Sequence, residues 1–319
     1  MIIMEVLVTG GLGFIGATFC NYWHNNHPQD NITILDNFSE GSSLNNIYDI
    51  YPDYVTLITG DIRNEVLVDT IVQSSDIVVH FAAQTHVDYS IGDPMGFVTT
   101  NIIGTANILE AVRKYDKRLH HISTDEVFGH LPDGGSFTED TPYNPRNPYS
   151  ATKAGADHLV RAYINTYNIR ATISNCSNNY GPRQSISKLI PKAITLALEG
   201  KPTPLYAGGY QVRDWVYVED HVRAIEQIIL HGVIGETYLV SGNYEITNRE
   251  VVEKIYKAIG VEPMFDTVTD RPGHDLRYSI DSTKLETTLG WKPIVPFDVG
   301  LEQTIRWYRG LHDLEEKTR

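Results

Sequence analysis

The sequence predicts an α/β chain built on a doubly wound parallel sheet, followed by a smaller α/β lobe, and three observations carry that reading. Short apolar runs rich in β-branched residues alternate with longer segments of helical spacing, a glycine-rich turn follows the first run directly, and the alternation loosens after about residue 180. The expected division is residues 1–180 and 181–319, with later segments able to rejoin the first sheet.

The first run, "MEVLVTG", is a strand that stops at Gly10, and apolar positions at three-to-four spacing over residues 15–27 predict the helix after it. "NITILD" is the second strand and ends in Asp36. "YVTLITGD" is the third, followed by a helix over 64–74. "DIVVHFAA", a helix over 97–115, "RLHHIST", a helix over 149–167 and "RATISNCSN" complete the series. Runs this short and this apolar suit strands covered on both faces, and parallel neighbours need crossovers of a dozen or more residues, which these helices supply. The stretch "LPDGGSFTEDTPYNPRNP" is dense in turn formers and is expected to be a loop over a site.

Composition narrows the class. Among 319 residues, 41% are hydrophobic and 21% charged, ordinary for a globular protein, and no apolar run approaches the ~20 residues that cross a bilayer. "MIIMEVLVTGG" has no basic segment or cleavage site, so a cytoplasmic location is expected. Cys20 and Cys176 are too few and too far apart for a disulfide framework. A net charge of -14 argues against nonspecific nucleic-acid binding and requires a local positive site for any anionic ligand. No His/Cys/Asp cluster has metal-ligand spacing, so no metal site is expected.

In "VLVTGGLGFIG", Gly10, Gly13 and Gly16 fall between a strand and a helix. That is where a side chain would block a tight turn, the approach of backbone to a pyrophosphate, or helix–strand packing, and it is the Rossmann-type cradle for a dinucleotide. Free N–H groups at the helix start give the phosphates a positive end even in an acidic chain. Asp36 lies where a carboxylate accepts both ribose hydroxyls, and no arginine adjoins it in sequence, so NAD is preferred to NADP. Asp61 and Ile62 suit the adenine edge, although Asp61 would equally serve as a helix cap. Tyr149 and Lys153 in "PYSATK" stand on one face of a helix, where an ammonium would favour the phenolate and bring it into working range as a base. Thr124 offers a second hydroxyl. Asp125 and Glu126 follow it in "STDEV" and either divide acid and base work or merely cap the next helix.

Together "TGGLGFIG", "STDEVFG" and "YSATK" resemble the extended short-chain dehydrogenase/reductase family, and within it the nucleotide-sugar dehydratases. The likeness continues in order through "FAAQTHVDYSI", "NCSNNYGP", "KLIP", "RDWVYVEDH" and "DRPGHDLRY", almost end to end. It implies tightly held NAD, a C-terminal lobe for a sugar nucleotide, preferably dTDP-glucose, and a homodimer joined through helices. It also implies cofactor contacts at Phe14, Ile15, Asn37, Ser39, Phe81, Ala82, Ala83, Thr100 and Asn179. Substrate contacts are implied at Thr85, Thr124, Asn178, Lys188, Leu189, Pro204, Tyr206, Arg213, Arg271 and His274, the arginines gripping the diphosphate. In the implied chemistry, Tyr149 deprotonates the C4 hydroxyl as hydride leaves for NAD, with Thr124 and Lys153 in support. Glu126 then removes the C5 proton and a protonated Asp125 delivers one to the departing C6 hydroxyl, before hydride returns to C6. Departures from the family pattern are Gln84, Tyr89 and Phe128, where Glu, Arg and Tyr are commoner, and the segment "DNFSEGS". Three alternatives stay open: the same chemistry on UDP-glucose, a C4 epimerase, which has no need of the acid pair, and an NAD-binding protein without catalysis.

Overall fold

The computed structural model describes residues 3–131 and 134–318. Its first half is strict alternation: β1 (Glu5–Thr9), α1 (Phe14–Asn26), β2 (Asn31–Asp36), β3 (Val55–Thr59), α2 (Glu65–Gln73) and β4 (Ile77–His80). Two short helices follow, α3 (Val87–Gly92) and α4 (Pro94–Phe97), then a π-helical segment over Val98–Gly104 that runs into α5 (Thr105–Tyr115). β5 (Arg118–Thr124), α6 (Pro148–Tyr167) and β6 (Arg170–Cys176) finish the series.

The later half comprises β7 (Asn178–Tyr180), α7 (Leu189–Leu198), β8 (Thr203–Tyr206), β9 (Val212–Tyr217), α8 (Val218–His231) and β10 (Thr237–Val240). After these come β11 (Glu245–Thr247), α9 (Asn248–Ile259), β12 (Phe265–Val268), α10 (Thr283–Leu289) and α11 (Phe297–Thr318).

Seven strands form one parallel sheet in the order β10-β6-β5-β4-β1-β2-β3. The order reverses direction at β1, so a crevice opens outside the carboxyl ends of β1 and β4, where open α/β sheets bind their ligands. The period of two explains how both faces are covered. Val6 and Val8 pack with Phe19, Trp23 and Ile225 on one side, whereas Leu7 packs with Val72, Ile108 and Val112 on the other. β10 joins this sheet although it lies beyond residue 180, and α8 packs on α1.

A three-stranded sheet, β11-β9-β7, and a two-stranded one, β12-β8, surround a separate core that includes Tyr180, Ile194, Trp215, Ile255 and Leu301. None of the described residues of the Pro/Gly-rich loop after β5 lines the crevice. The loop's Phe137 pairs with Ile280 and packs with Phe128, so the apolar residues among its turn formers anchor it to the protein.

The helix expected over 97–115 is interrupted. Asn101, 1% exposed, bonds through its side chain to both Gln84 N–H and C=O and to Thr152 Oγ1, and these ties hold the π-helical turns open. Such turns recur at functional sites, and Thr100 of this segment faces the crevice.

Candidate active site

The crevice is a cavity of about 340 Å³. At one end lies the turn from β1 into α1. Gly10 has φ +72°, and a Cβ there would sit 2.8 Å from Ala82 N; on Gly16 a Cβ would sit 2.3 Å from Gly10 O. Gly13, the N-cap of α1, supplies no side-chain cap, so the first-turn N–H groups are left for an anion. Asp36, 4% exposed, is fixed by Leu12 N–H at 3.0 Å and Phe38 N–H at 2.9 Å, which still leaves each oxygen a lone pair. An arginine does line this end, but Arg63 is committed to Asp61 through two guanidinium bonds of 2.9 and 2.7 Å. The guanidinium lowers the Asp61 carboxyl to about 2. Asp61 is not the cap of α2, because Asn64 accepts from Leu67 N–H.

All the residues expected at the cofactor line this cavity: Gly10, Gly13, Phe14, Ile15, Gly16, Asp36, Asn37, Ser39, Asp61, Ile62, Phe81, Ala82, Ala83, Thr100, Tyr149, Lys153 and Asn179. A dinucleotide fits the glycine cradle, which added Cβ atoms would fill. Asn179 is a special case, since its Nδ2 donates to Ser177 O and Cys176 Sγ and its Oδ1 meets His221 Nδ1 at 2.9 Å. Its amide is thus spent within the protein.

At the other end, β5 delivers Thr124, Asp125 and Glu126, and the first turns of α6 deliver Tyr149 and Lys153. Pro148 at the first helical position and Asn147, which accepts from Ser150 N–H at 2.9 Å, fix where α6 begins. After β5 the N-cap is Thr124, accepting from Glu126 N–H at 3.3 Å, so capping does not use the acids.

Asp125 is 2% exposed, and its Oδ2 is buried without a hydrogen-bond partner among the described residues. Burial, then the neighbouring Glu126 carboxylate, pushes its carboxyl well above the usual range. Glu126 is half-buried and accepts from Ser150 Oγ at 3.3 Å. The Tyr149 phenol is also raised, by burial first and by Glu126 next, with a Thr124 hydrogen bond opposing. In the protein alone, burial and the neighbouring carboxylates set that direction. Lys153 Nζ donates to Ile122 C=O at 2.7 Å.

Of the residues expected at the substrate, Thr85, Thr124, Asn178 and Lys188 line the cavity, and Lys188 Nζ bonds Thr85 C=O at 3.0 Å. The others stand outside its lining. Arg271 (3.3 Å) and the Tyr206 hydroxyl (3.2 Å) both hold the Asp88 carboxylate, and His274 meets Asp270 at 2.6 Å with its ring edge-on to Tyr206. Arg213 is engaged by the carbonyls of Val212 and Asp275 and lies over the Tyr278 ring. Leu189 opens α7 and Pro204 lies in β8.

Sequence reading missed Glu40, Gln184 and Ser185, which line the cavity from irregular segments without periodicity. It also missed Cys176, whose place at the carboxyl end of β6 was a usable signal. Among the described residues no group of three or more His, Cys, Asp or Glu could hold a metal ion, and no helix is long and apolar enough to cross a membrane.

Comparison with known proteins places the chain in a family. Residues 7–304 match the family model described as GDP-mannose 4,6 dehydratase. A dTDP-glucose 4,6-dehydratase of Mycobacterium tuberculosis is 50% identical over 96% of this chain and 93% of its own. The crystal structure of DesIV, a dTDP-glucose 4,6-dehydratase from Streptomyces venezuelae solved with NAD bound, superposes with a TM-score of 0.94 at 40% identity, covering 98% of each chain. The dTDP-glucose 4,6-dehydratase of Bacillus anthracis in complex with NAD gives 0.91 at 41% identity, covering 97% of this chain and 98% of its own. The chain belongs to the GDP-mannose 4,6 dehydratase family, in the company of the dTDP-glucose 4,6-dehydratases.

Proposed function

We propose that this chain is an NAD-dependent dehydratase that converts dTDP-glucose into dTDP-4-keto-6-deoxyglucose. The observation that carries the reading is the acid pair: a buried Asp125, whose carboxyl burial holds well above the usual range, stands beside a half-buried Glu126, both within the cavity that holds Thr124, Tyr149 and Lys153. NAD, held by the glycine cradle and Asp36, would accept the hydride from C4 and, once reduced, would return it to C6 while a solvent-exchangeable proton is restored to C5. Tyr149 takes the C4 hydroxyl proton, Thr124 holds that oxygen, and Lys153 supports the phenolate. The resulting ketone acidifies the C5 proton, which Glu126 removes, and Asp125 protonates the departing C6 hydroxyl so that water leaves. A neighbouring acid and base serve neighbouring carbons. A C4 epimerase has no use for the pair.

Lys188, Arg213, Arg271 and His274, with Asn178, Leu189, Pro204 and Tyr206, hold the nucleotide end, and Thr85 holds the sugar. Residues 1–180, with α8 and β10, serve the cofactor, and the remainder serves the sugar nucleotide. A lyase class, a homodimer and a cytoplasmic setting accompany this reading, supported by the family alone.

The test is incubation with dTDP-glucose in deuterated water without added reductant, followed by NMR. The expected product is a 4-keto-6-deoxy sugar carrying deuterium at C5. Unchanged sugar or its C4 epimer would overturn the proposal. A parallel run with UDP-glucose ranks the two nucleotides, which differ by the base methyl, worth only ~1–3 kcal/mol in a pocket, and by the ribose 2′-hydroxyl.

A further inference from the structure

Helix α6 carries a third polar residue in register with Tyr149 and Lys153. Asp157 lies four residues beyond Lys153, so the three side chains form one stripe. Its carboxylate is 0% exposed and is surrounded by donors from three segments: His121 Nε2 at 3.1 Å, Ser123 Oγ at 2.7 Å, the Tyr143 hydroxyl at 2.8 Å and Asn175 Nδ2 at 3.2 Å. Asn175 Nδ2 also donates to Thr124 C=O at 3.0 Å. The network therefore grips β5 at the residues just before the acid pair.

Lys153 poses a problem that this network solves. Its ammonium is buried, and the carbonyl of Ile122 offers a dipole, not a compensating charge. Tyr149 and Asp157 flank it one turn away on α6, and it couples electrostatically to Asp157, to His121 on β5, to His80 on β4 and to Cys176 on β6. Burial holds both histidines neutral and pushes the Cys176 thiol up to about 12. Around Asp157 itself, Tyr143 is held protonated by burial, and Arg161 is turned to the Tyr143 hydroxyl at 2.7 Å. Asp157 is left as the opposite charge.

We propose that Asp157 is the counter-ion of Lys153 and a positioning residue for the reaction, its charge retaining the ammonium on the Tyr149 face of α6 and its hydrogen bonds fixing the end of β5 that presents Thr124 and Asp125. The proposal rests on reading Tyr149 and Lys153 as the working pair. Asp157 does not line the cavity, so it acts through Lys153 and β5.

The charge of Lys153 can be read apart from turnover, by 13C NMR of NAD-loaded protein carrying [ε-13C]lysine, with Lys153→Met giving the assignment. In the unsubstituted protein Lys153 is expected to remain protonated at pH 7.5. Asp157→Asn is expected to lower its midpoint by at least one pH unit and to move the alkaline limb of kcat down with it. kcat at pH 8 should fall tenfold or more, with KM for dTDP-glucose changed less than twofold. Tyr143→Phe removes a hydrogen bond from the same carboxylate without touching its charge, and should leave both midpoints in place.

A folded Asp157→Asn protein with an unmoved Lys153 midpoint would overturn the proposal. So would a Lys153 already neutral at pH 7.5 in the unsubstituted protein, a result that does not depend on the variant folding. If the Lys153 midpoint moves as stated but no dehydration product forms, the counter-ion assignment stands and the catalytic reading fails.

Discussion

Asp125 and Glu126 share a peptide bond but not an environment, and that difference is the part of the site most open to test residue by residue. Burial raises the Asp125 carboxyl well above its usual range and so favours the protonated form needed to help a hydroxyl leave, and Asp125→Asn removes that proton donor while preserving shape. Elimination is expected to slow by about 10²–10⁴-fold while C4 oxidation survives, seen as reduced cofactor accumulating near 340 nm in a single turnover. No accumulation with wild-type dehydration would mean the acid lies elsewhere. Stability should move the other way. The folded-state pKa of Asp125 lies above the ordinary 3.8, so the folded protein is favoured most below that value, and the benefit is lost as pH rises through the raised folded value. Asp125→Asn escapes this loss. The Tm difference between variant and wild type, measured by calorimetry from pH 5 to pH 8.5, should grow in the variant's favour as pH rises; a flat difference would show that the carboxyl titrates normally.

At the scale of elements, the β1–α1 turn gives the sharpest prediction. Gly16→Ala would place a methyl group 2.3 Å from the Gly10 carbonyl oxygen, a backbone atom that cannot swing aside, so the turn must open and the cradle with it. The purified variant should carry less than a tenth of the wild-type NAD, assayed by absorbance after acid release; full occupancy would place the pyrophosphate elsewhere. This turn was legible in the sequence because its glycines stand at fixed spacing between a strand and a helix. The strands were legible because both of their faces are buried, and the acids, phenol and ammonium because they cluster at strand and helix ends. The interruption at Val98–Gly104 was not, since three-to-four spacing runs through it and its cause is Asn101, bonded to Gln84 and Thr152 from other elements. Nor was the holding of Arg271 by Asp88, 183 residues away in sequence. Asp157 was hidden for the same reason: in sequence it is one more polar residue on a helix, and only the fold brings His121, Ser123 and Asn175 to it.

Across the whole molecule the chain passes repeatedly between the large sheet and the smaller ones, and this binds their stabilities together. β10 completes the large sheet from beyond β9; Arg118 of β5 bonds the Ile229 carbonyl of α8; Trp291, after α10, bonds the Asp220 carbonyl of the same helix. The cavity repeats the pattern, with walls drawn from Gly10 to Lys188. A ligand in the crevice should therefore stabilise the whole chain. At one hundred times its Kd, NAD adds about 2.7 kcal/mol, and with an unfolding entropy of about 2.1 cal/mol/K per residue this raises Tm by about 4 °C for a chain of 319 residues. Calorimetry of protein stripped of cofactor should show one transition that moves as a unit when NAD is restored. If two transitions appear and NAD shifts only the first, the crossings by α8 and β10 do not couple the two sides, and the β11-β9-β7 sheet melts on its own.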